Sequence, residues 1–453
     1  MNNDHAAGRI PVSIADTVAV SVGIVIGAGI FKTPSLVAAN AGSVGTTLVL
    51  WLMGGVVSLI GALCYAELAT AFPHEGGDYS FMYRAYGSST AFMFAWARMT
   101  VIQTSCIALF AFIVGDYATE ILPLGPYSSS IYAAVSIVIL TVVNMAGVIP
   151  GVTFQKLLTS AILLGLLVVV AMGMTAEPVS LTATPVGFPG WAPVGRAMIF
   201  VLLTFGGWNE AVYFSAEVRN RRSDMARALL LSIAIITTVY LFTNMVYLWG
   251  LGLSGVASSE AVAADLARKV LGETGATVIS AFIVIAVLSS MNGSIMTGAR
   301  SSYAFGCDFG VLGFLGRWRE KISTPFNSLV FQGAIAVLLV FMGTLTRRGF
   351  ETMVEYTAPV FWIFFFLTGL SLFVLRIREP GRERPYRVPF YPVTPVLFCA
   401  FCLYMLISSL AYTGTGALVG VAVLAAGVPV MVVNAVLNSY RLKYSLSERK
   451  GKL

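Results

Sequence analysis

Two short glycine clusters interrupt long apolar segments of the chain. Gly27-Ala28-Gly29 lies within an apolar stretch from about residue 12 to 39, and Phe205-Gly206-Gly207-Trp208 lies within another from about 194 to 216. Inside a bilayer every backbone amide and carbonyl must be hydrogen-bonded, so an unwound turn persists only where it lines a cavity. The clusters therefore predict two sets of free peptide dipoles at mid-membrane, which a polar solute could bind.

The composition agrees with a membrane protein. Hydrophobic residues make up 57% of the 453 residues and charged residues only 11%, whereas soluble domains carry about 25% charged residues. We predict an all-α polytopic protein of about twelve transmembrane helices, each long enough for a hydrocarbon layer of about 30 Å. The predicted spans cover residues 12–39, 44–72, 87–115, 129–149, 153–174, 194–216, 226–252, 274–302, 326–345, 353–376, 393–411 and 415–437.

Lysine and arginine are distributed unequally between the two sides of this topology. With the N-terminus inside, the outer side keeps Arg196, Arg268, Lys269, Arg347 and Arg348, and the cytoplasmic side receives a larger set. That set contains Arg9, Arg84, Lys156, Arg219, Arg221, Arg222, Arg227, Arg317, Arg319, Lys321 and the basic residues within 376–387 and 441–452. The bias predicts an integral protein of the cytoplasmic (inner or plasma) membrane with both termini cytoplasmic.

The net charge of +7 therefore reflects topology and contact with anionic lipid, and no nucleic-acid partner is predicted. The five cysteines form an odd, scattered set, and neither of the two histidines lies in a nucleophilic pattern. We predict no catalytic residue, no metal site and no cofactor other than a possible coupling ion. An enzyme would need convergent titratable groups, and a channel would need a continuous polar stripe.

The two glycine clusters lie five spans apart, as an inverted repeat of five helices requires. Lys32-Thr33-Pro34 follows the first cluster, and Asn209 and Glu210, both costly at membrane depth, follow the second. The predicted organisation is an N-terminal tail (1–11), a core (12–376) with repeats at about 12–174 and 194–376, and a connector (377–392). Transmembrane helices 11 and 12 (393–437) and a basic tail (438–453) complete it.

Several motifs occur in a specific order along the chain. They are Ile26-Gly27-Ala28-Gly29-Ile30-Phe31, Tyr65-Ala66-Glu67-Leu68, Pro73-His74-Glu75-Gly76-Gly77-Asp78-Tyr79, Gly206-Gly207-Trp208-Asn209, Glu217-Val218-Arg219-Asn220, Asn292-Gly293, Arg300-Ser301-Ser302-Tyr303-Ala304 and Arg384-Pro385-Tyr386-Arg387-Val388-Pro389. In these motifs the chain resembles the amino acid-polyamine-organocation superfamily, most closely its L-amino-acid transporter-like branch. The resemblance implies a LeuT-type 5+5 inverted repeat with broken helices 1 and 6, and transport of amino acids by alternating access.

An α-amino acid carries a carboxylate and an ammonium group, and the free ends of broken helices present matching partial charges. We assign the carboxylate to amides of the outer half-helices, around Ala28, Gly29, Ile30 and Gly207. The ammonium is assigned to carbonyls of the inner half-helices, around Ile24, Val25 and Phe205. The complete predicted substrate-binding set is Ile24, Val25, Ile26, Gly27, Ala28, Gly29, Ile30, Phe205, Gly206, Gly207, Trp208 and Ser290.

Selectivity is less determined by the sequence. Relatives place an aromatic gate at the position of Leu203, so the gate here is predicted at Leu203 or Phe205. Further wall candidates are Gln103, Asn292 and Tyr356. Apart from Glu210, no carboxylate faces the predicted pocket, which favours neutral amino acids. Exchange, and transport of cationic amino acids or polyamines, remain alternatives, and so do a monomer and a homodimer.

The coupling ion is predicted to be sodium or a proton. Ser21, Ile24, Ala286, Ser289 and Ser290 have the spacing of the sodium site in sodium-coupled proteins of this fold, and Ile162 stands where other branch members carry a lysine. Three more charges have structural interpretations. Glu67 is predicted to pair with a loop arginine such as Arg84 or Arg219. Arg98 and Glu355 are rare enough at depth to indicate either ion-pair partners or proton handling, and ion pairing is favoured for both.

Overall fold

The computed structural model describes residues 18, 21–23, 25–74, 76–147, 152–179, 189–210, 224–319, 324–411 and 414–450, with side chains except at 152–163, 224–225 and 438–450. This part of the chain is helical, and its extended pairing is limited to one isolated bridge between Arg319 and Thr324. Helices satisfy their own backbone hydrogen bonds, which is what a bilayer demands of a spanning segment.

Fourteen α-helices have their bounds within the described residues. In chain order they are α1 (Thr33–Ala41), α2 (Val44–Ala71), α3 (Asp78–Tyr86), α4 (Ser88–Ala97), α5 (Gln103–Ile121), α6 (Ser128–Met145), α7 (Val152–Thr175), α8 (Trp191–Phe205), α9 (Asp224–Ser258), α10 (Val262–Asp308), α11 (Phe326–Thr346), α12 (Gly349–Arg378), α13 (Val393–Ala411) and α14 (Thr415–Lys450). Gly252 and Gly272, each with positive φ, kink α9 and α10.

Among the described residues, ten helices are long and apolar enough to cross a membrane. They correspond to ten of the twelve predicted spans. Val393–Ala411 has the predicted bounds, whereas Val262–Asp308 begins and ends well outside the predicted 274–302. Of the other two predicted spans, 12–39 contains positions outside the described residues, and 153–174 lies within α7, whose side chains are described from Leu164 onward. The chain is thus an all-helical, integral membrane protein.

The third predicted span is not a continuous α-helix. A π-helical turn, Arg98–Ile102, separates α4 from α5. Such turns insert an extra residue into a helix and occur frequently at functional sites. Here the turn starts at Arg98, a partly buried arginine that the sequence singles out.

The segments around the two glycine clusters pack at the centre of the bundle. α1 packs against α8 and α9, and α2 packs against the same two helices. Small residues allow this approach: a Cβ atom built on Gly54 would lie 2.3 Å from Val201 Cγ1, and one on Gly55 would lie 2.3 Å from Thr237 Oγ1. The packing therefore positions both clusters beside α2.

Candidate functional site

The first glycine cluster is a break in the helical backbone. Helical residues extend to Val25, Gly27 is extended with φ −113° and ψ −154°, and a 3₁₀ turn, Ala28–Phe31, leads into α1. The first amides of a helical segment have no acceptor within it, which applies here to Ala28, Gly29 and Ile30. Ile24, predicted to offer its carbonyl, lies outside the described residues.

The second cluster ends α8. The helix stops at Phe205, the Gly206 amide donates to the Leu203 carbonyl at 3.0 Å, and Gly207 has φ +103°. That positive φ is strained for any residue with a Cβ atom. A short 3₁₀ turn over residues 208–210 follows, closed by the Glu210 amide on the Gly207 carbonyl at 3.0 Å.

The two breaks contact each other. The hydroxyls of Thr33 and Thr204 are 2.7 Å apart, and a Cβ atom on Gly29 would lie 3.1 Å from Thr204 Cγ2. The buried Tyr240 hydroxyl lies 2.8 Å from the Val25 carbonyl and 3.0 Å from the Thr204 carbonyl. One phenol thus serves the carboxyl-terminal ends of both interrupted helices, where partial negative charge accumulates.

The sequence profile described as amino acid permease matches residues 12–438. The chain belongs to the amino acid permease family. Similar proteins are the large neutral amino acids transporter small subunit 2 of Mus musculus, 29% identical over 92% of this chain and 80% of that protein, and the mouse b(0,+)-type amino acid transporter 1, 28% identical over 86% and 81%. The mouse Asc-type amino acid transporter 1 is 27% identical over 94% of this chain and 82% of its own length.

The resemblance read from the motifs is therefore confirmed, and the family is one of transporters rather than enzymes. One assignment within the permease is wrong. Because α1 packs against α8, the half-helix after the first break and the half-helix before the second lie on the same side. Phe205 consequently ends the half-helix that lies beside α1, so Phe205, rather than Gly207, shares a side with the segment after the first break, contrary to the prediction.

The predicted gate residues differ in burial. Phe205 is 1% exposed and packs against Trp51 and Tyr240, with ring centroids 6.3 and 5.1 Å away. Leu203 is half-buried. Phe205 is thus held in the aromatic core behind the breaks, whereas Leu203 is a partly buried residue packed against that core.

Trp208 is also buried, and its ring centroid lies 5.0 Å from that of Tyr65 and 5.8 Å from that of Phe365. A cavity of about 10 Å³, roughly the size of one water molecule, adjoins this ring and Gly206. The indole forms a wall between the second break and α12.

Three predicted wall residues instead join helices. Gln103 Nε2 donates to the Ser294 carbonyl at 2.8 Å, and Tyr356 Oη donates to the Thr100 carbonyl at 3.0 Å. Asn292 Oδ1 accepts from Asn144 Nδ2 at 2.6 Å. Their polar atoms are committed to interhelical hydrogen bonds, which agrees with a packing role.

The predicted sodium site is described only in part. Ser21, Ala286 and Ser289 are buried, Ser290 is half-buried, and Ile24 lies outside the described residues. Ser289 Oγ has no hydrogen-bond partner among the described residues. The side chain of Ile162 is likewise outside them, so the sodium site stays a prediction.

The buried charges of the permease have specific partners. Glu67 accepts two hydrogen bonds from the Arg376 guanidinium, at 2.8 and 2.6 Å, and one from the Val388 amide at 2.7 Å. The predicted pairing with Arg84 is wrong, because Arg84 lies over the Phe72 ring; the alternative partner Arg219 is outside the described residues.

Arg98 pairs with Glu210 at 3.2 Å. The π turn that begins at Arg98 thus lies next to the second break, which Glu210 immediately follows. The pair supplies the partner that an arginine at this depth requires.

A further charged group was not anticipated from the sequence. Lys32, 4% exposed, forms ion pairs with Asp116, at 2.8 Å, and with Glu260. We call these three residues the Lys32 cluster. It connects the segment after the first break to α5 and to the loop before α10. A lysine two residues before a proline in an apolar span was the available signal, but it did not identify the partners.

Proposed function

We propose that the permease carries neutral α-amino acids between the two breaks by alternating access, in a LeuT-type arrangement of two inverted five-helix repeats. The observation that carries this proposal is the meeting of the breaks at Thr33, Thr204 and Tyr240. Amides around Ala28, Gly29 and Ile30 receive the carboxylate. Carbonyls at the ends of the two preceding helical segments receive the ammonium group.

Charge balance supports a neutral substrate. Glu210 directly follows the second break, and the Arg98 guanidinium lies 3.2 Å from its carboxylate. Because these charges offset each other, Glu210 is not an uncompensated carboxylate that would attract a cationic side chain. Similarity to a large neutral amino acids transporter agrees with this assignment.

The experiment is counterflow in proteoliposomes. Proteoliposomes that contain the purified permease and are loaded with unlabelled L-leucine should accumulate radiolabelled L-leucine transiently and saturably. L-alanine serves as a smaller neutral probe and L-lysine as the cationic one. A carrier gives counterflow, whereas a channel does not. L-lysine counterflow faster than that of both neutral probes would contradict the neutral assignment, and recovered label that is chemically altered would contradict simple transport.

The coupling ion is either sodium or a proton, and the Ser289 hydroxyl, which has no hydrogen-bond partner among the described residues, supports sodium as one of these alternatives. Replacing sodium by choline on both sides should then slow uptake. Undiminished uptake in choline removes sodium from the mechanism without affecting the carrier assignment.

A further inference from the structure

Asp78 is a buried carboxyl group that the amino acid site does not use. It begins α3, and its side chain is 3% exposed. Asn209 Nδ2 donates to Oδ2 at 3.3 Å, and Thr368 Oγ1 donates to Oδ1 at 3.5 Å. Among the described residues, no lysine or arginine forms an ion pair with it. A buried carboxylate held only by long bonds to neutral donors is costly, and protonation relieves that cost.

The groups facing Asp78 come from several elements. Tyr65 on α2 and Asn209 after the second break face it directly, and Glu210 and Arg98 act from farther away. Arg98 is paired with Glu210, so it compensates that carboxylate first. The first amides of α3 donate to the Gly76 and Gly77 carbonyls and are not available to the side chain.

Burial outweighs these favourable contacts and raises the pKa of Asp78 to about 6. The pKa shifts upward because the protonated form of Asp78 is neutral and burial favours the neutral form. Below about pH 6 Asp78 is a neutral carboxylic acid, and above that pH it is a buried carboxylate. The group therefore titrates close to the pH range in which cells operate.

The neighbouring phenol provides an independent observation. Tyr65 is fully buried, and its hydroxyl faces Asp78 and Thr368. A hydroxyl can donate to a carboxylate or accept from a carboxylic acid. Tyr65 can thus satisfy either protonation state of Asp78 without a change of partner.

Asn209 links this carboxyl group to the moving part of the site. It lies two residues after Gly207, whose positive φ marks the second break, and it is 6% exposed. Its amide donates to Asp78, and a carboxylate is a stronger acceptor than a carboxylic acid. Protonation of Asp78 therefore weakens the hydrogen bond that anchors the segment after the break to α3.

We propose that Asp78 is the proton-binding group of the permease, and that Asn209 couples its protonation to movement at the second break. A proton then binds Asp78 from one side of the membrane and leaves to the other side with each amino acid transported. This inference rests on the proposed amino acid carrier function and names its coupling ion.

The test uses the full chain in proteoliposomes, in sodium-free choline buffer, with L-leucine or the faster neutral probe of the counterflow panel. The wild type should accumulate label when the lumen is made alkaline, and adding the amino acid should move protons, read by a pH-sensitive dye. Asp78→Asn keeps the shape but cannot release a proton. Its counterflow rate should stay within about twofold of the wild-type rate. Accumulation driven by the pH gradient should fall to the equilibrium level, and the proton signal should disappear.

Glu177→Gln is the matched control, because Glu177 is an exposed carboxylate and its replacement should leave both readouts unchanged. If Asp78→Asn also loses counterflow, Asp78→Glu decides: proton-driven accumulation by this variant supports the proposal, and its absence overturns it. Proton movement by Asp78→Asn, or wild-type counterflow without any proton signal, overturns it as well. Absence of wild-type counterflow instead contradicts the carrier function itself.

Discussion

Replacing Lys32 by methionine should open the bundle where α1, α5 and the loop before α10 meet. Methionine keeps the length of the side chain but removes its charge, so Asp116, whose side chain is 14% exposed, loses its cation. Removing one member of a buried ion pair costs roughly 3–5 kcal/mol. Since each 1.4 kcal/mol is about a factor of ten in an equilibrium constant, conformations in which Asp116 reaches water should gain at least about 100-fold in population.

The two partners of Lys32 should behave differently. The Glu260 side chain is 84% exposed, and exposed ion pairs contribute only about 0–1 kcal/mol. Glu260→Gln should therefore shift the same equilibrium by less than about fivefold. Asp116→Asn combined with Lys32→Met should restore much of the closure, because no unpaired charge is then left buried.

The assay is the rate at which a maleimide labels a cysteine placed at Ala263, in a variant whose exposed Cys307 is replaced by serine. Ala263 is fully buried, and its amide donates to the Tyr117 hydroxyl, which in turn donates to the Phe31 carbonyl. Labelling should accelerate strongly in Lys32→Met and little with Glu260→Gln. Equal labelling rates in these two backgrounds would refute the reasoning from burial.

Two further predictions concern the breaks and the opposite end of the bundle. Gly29→Leu should abolish counterflow but leave membrane insertion intact, because its side chain would collide with Thr204. The control is Gly381→Leu, at a position with open space around it, which should transport normally. Counterflow by Gly29→Leu as fast as that of the control would contradict the site. Arg376→Met should lower the thermal unfolding temperature in detergent, because it leaves Glu67, 2% exposed, without its main cation; an unchanged temperature would show that other groups neutralise Glu67.

The sequence was sufficient for the features that depend on local pattern. Val393–Ala411 was predicted with its observed bounds because a proline-rich segment precedes a largely apolar run and Thr413 and Gly414 follow it. The break at Gly206 and Gly207 was recognisable because glycine tolerates a positive φ, here +103° at Gly207, that other residues avoid.

Features that depend on contacts between distant segments were missed or misassigned. Glu67 pairs with Arg376, 309 residues away, and nothing local to Glu67 distinguishes that arginine from Arg84. The role of Tyr240 was not anticipated either, because an aromatic residue in an apolar span does not reveal which carbonyls its hydroxyl faces. The side assigned to Gly207 was wrong because that assignment depends on which helices pack together.

The polar contacts that hold the breaks have a common consequence for transport. Lys32 directly follows the 3₁₀ turn of the first break and pairs with α5, while Asn209 follows the second break and bonds to α3. A segment that moves at either break must therefore release a buried polar contact, and packed interiors respond to such losses by switching between discrete arrangements. A bound amino acid shifts these arrangements only by its differential affinity for them. Substitutions at Lys32 and Asn209 should consequently change apparent affinity mainly through the fraction of permease that is competent to bind, with little change in the order of preference among substrates.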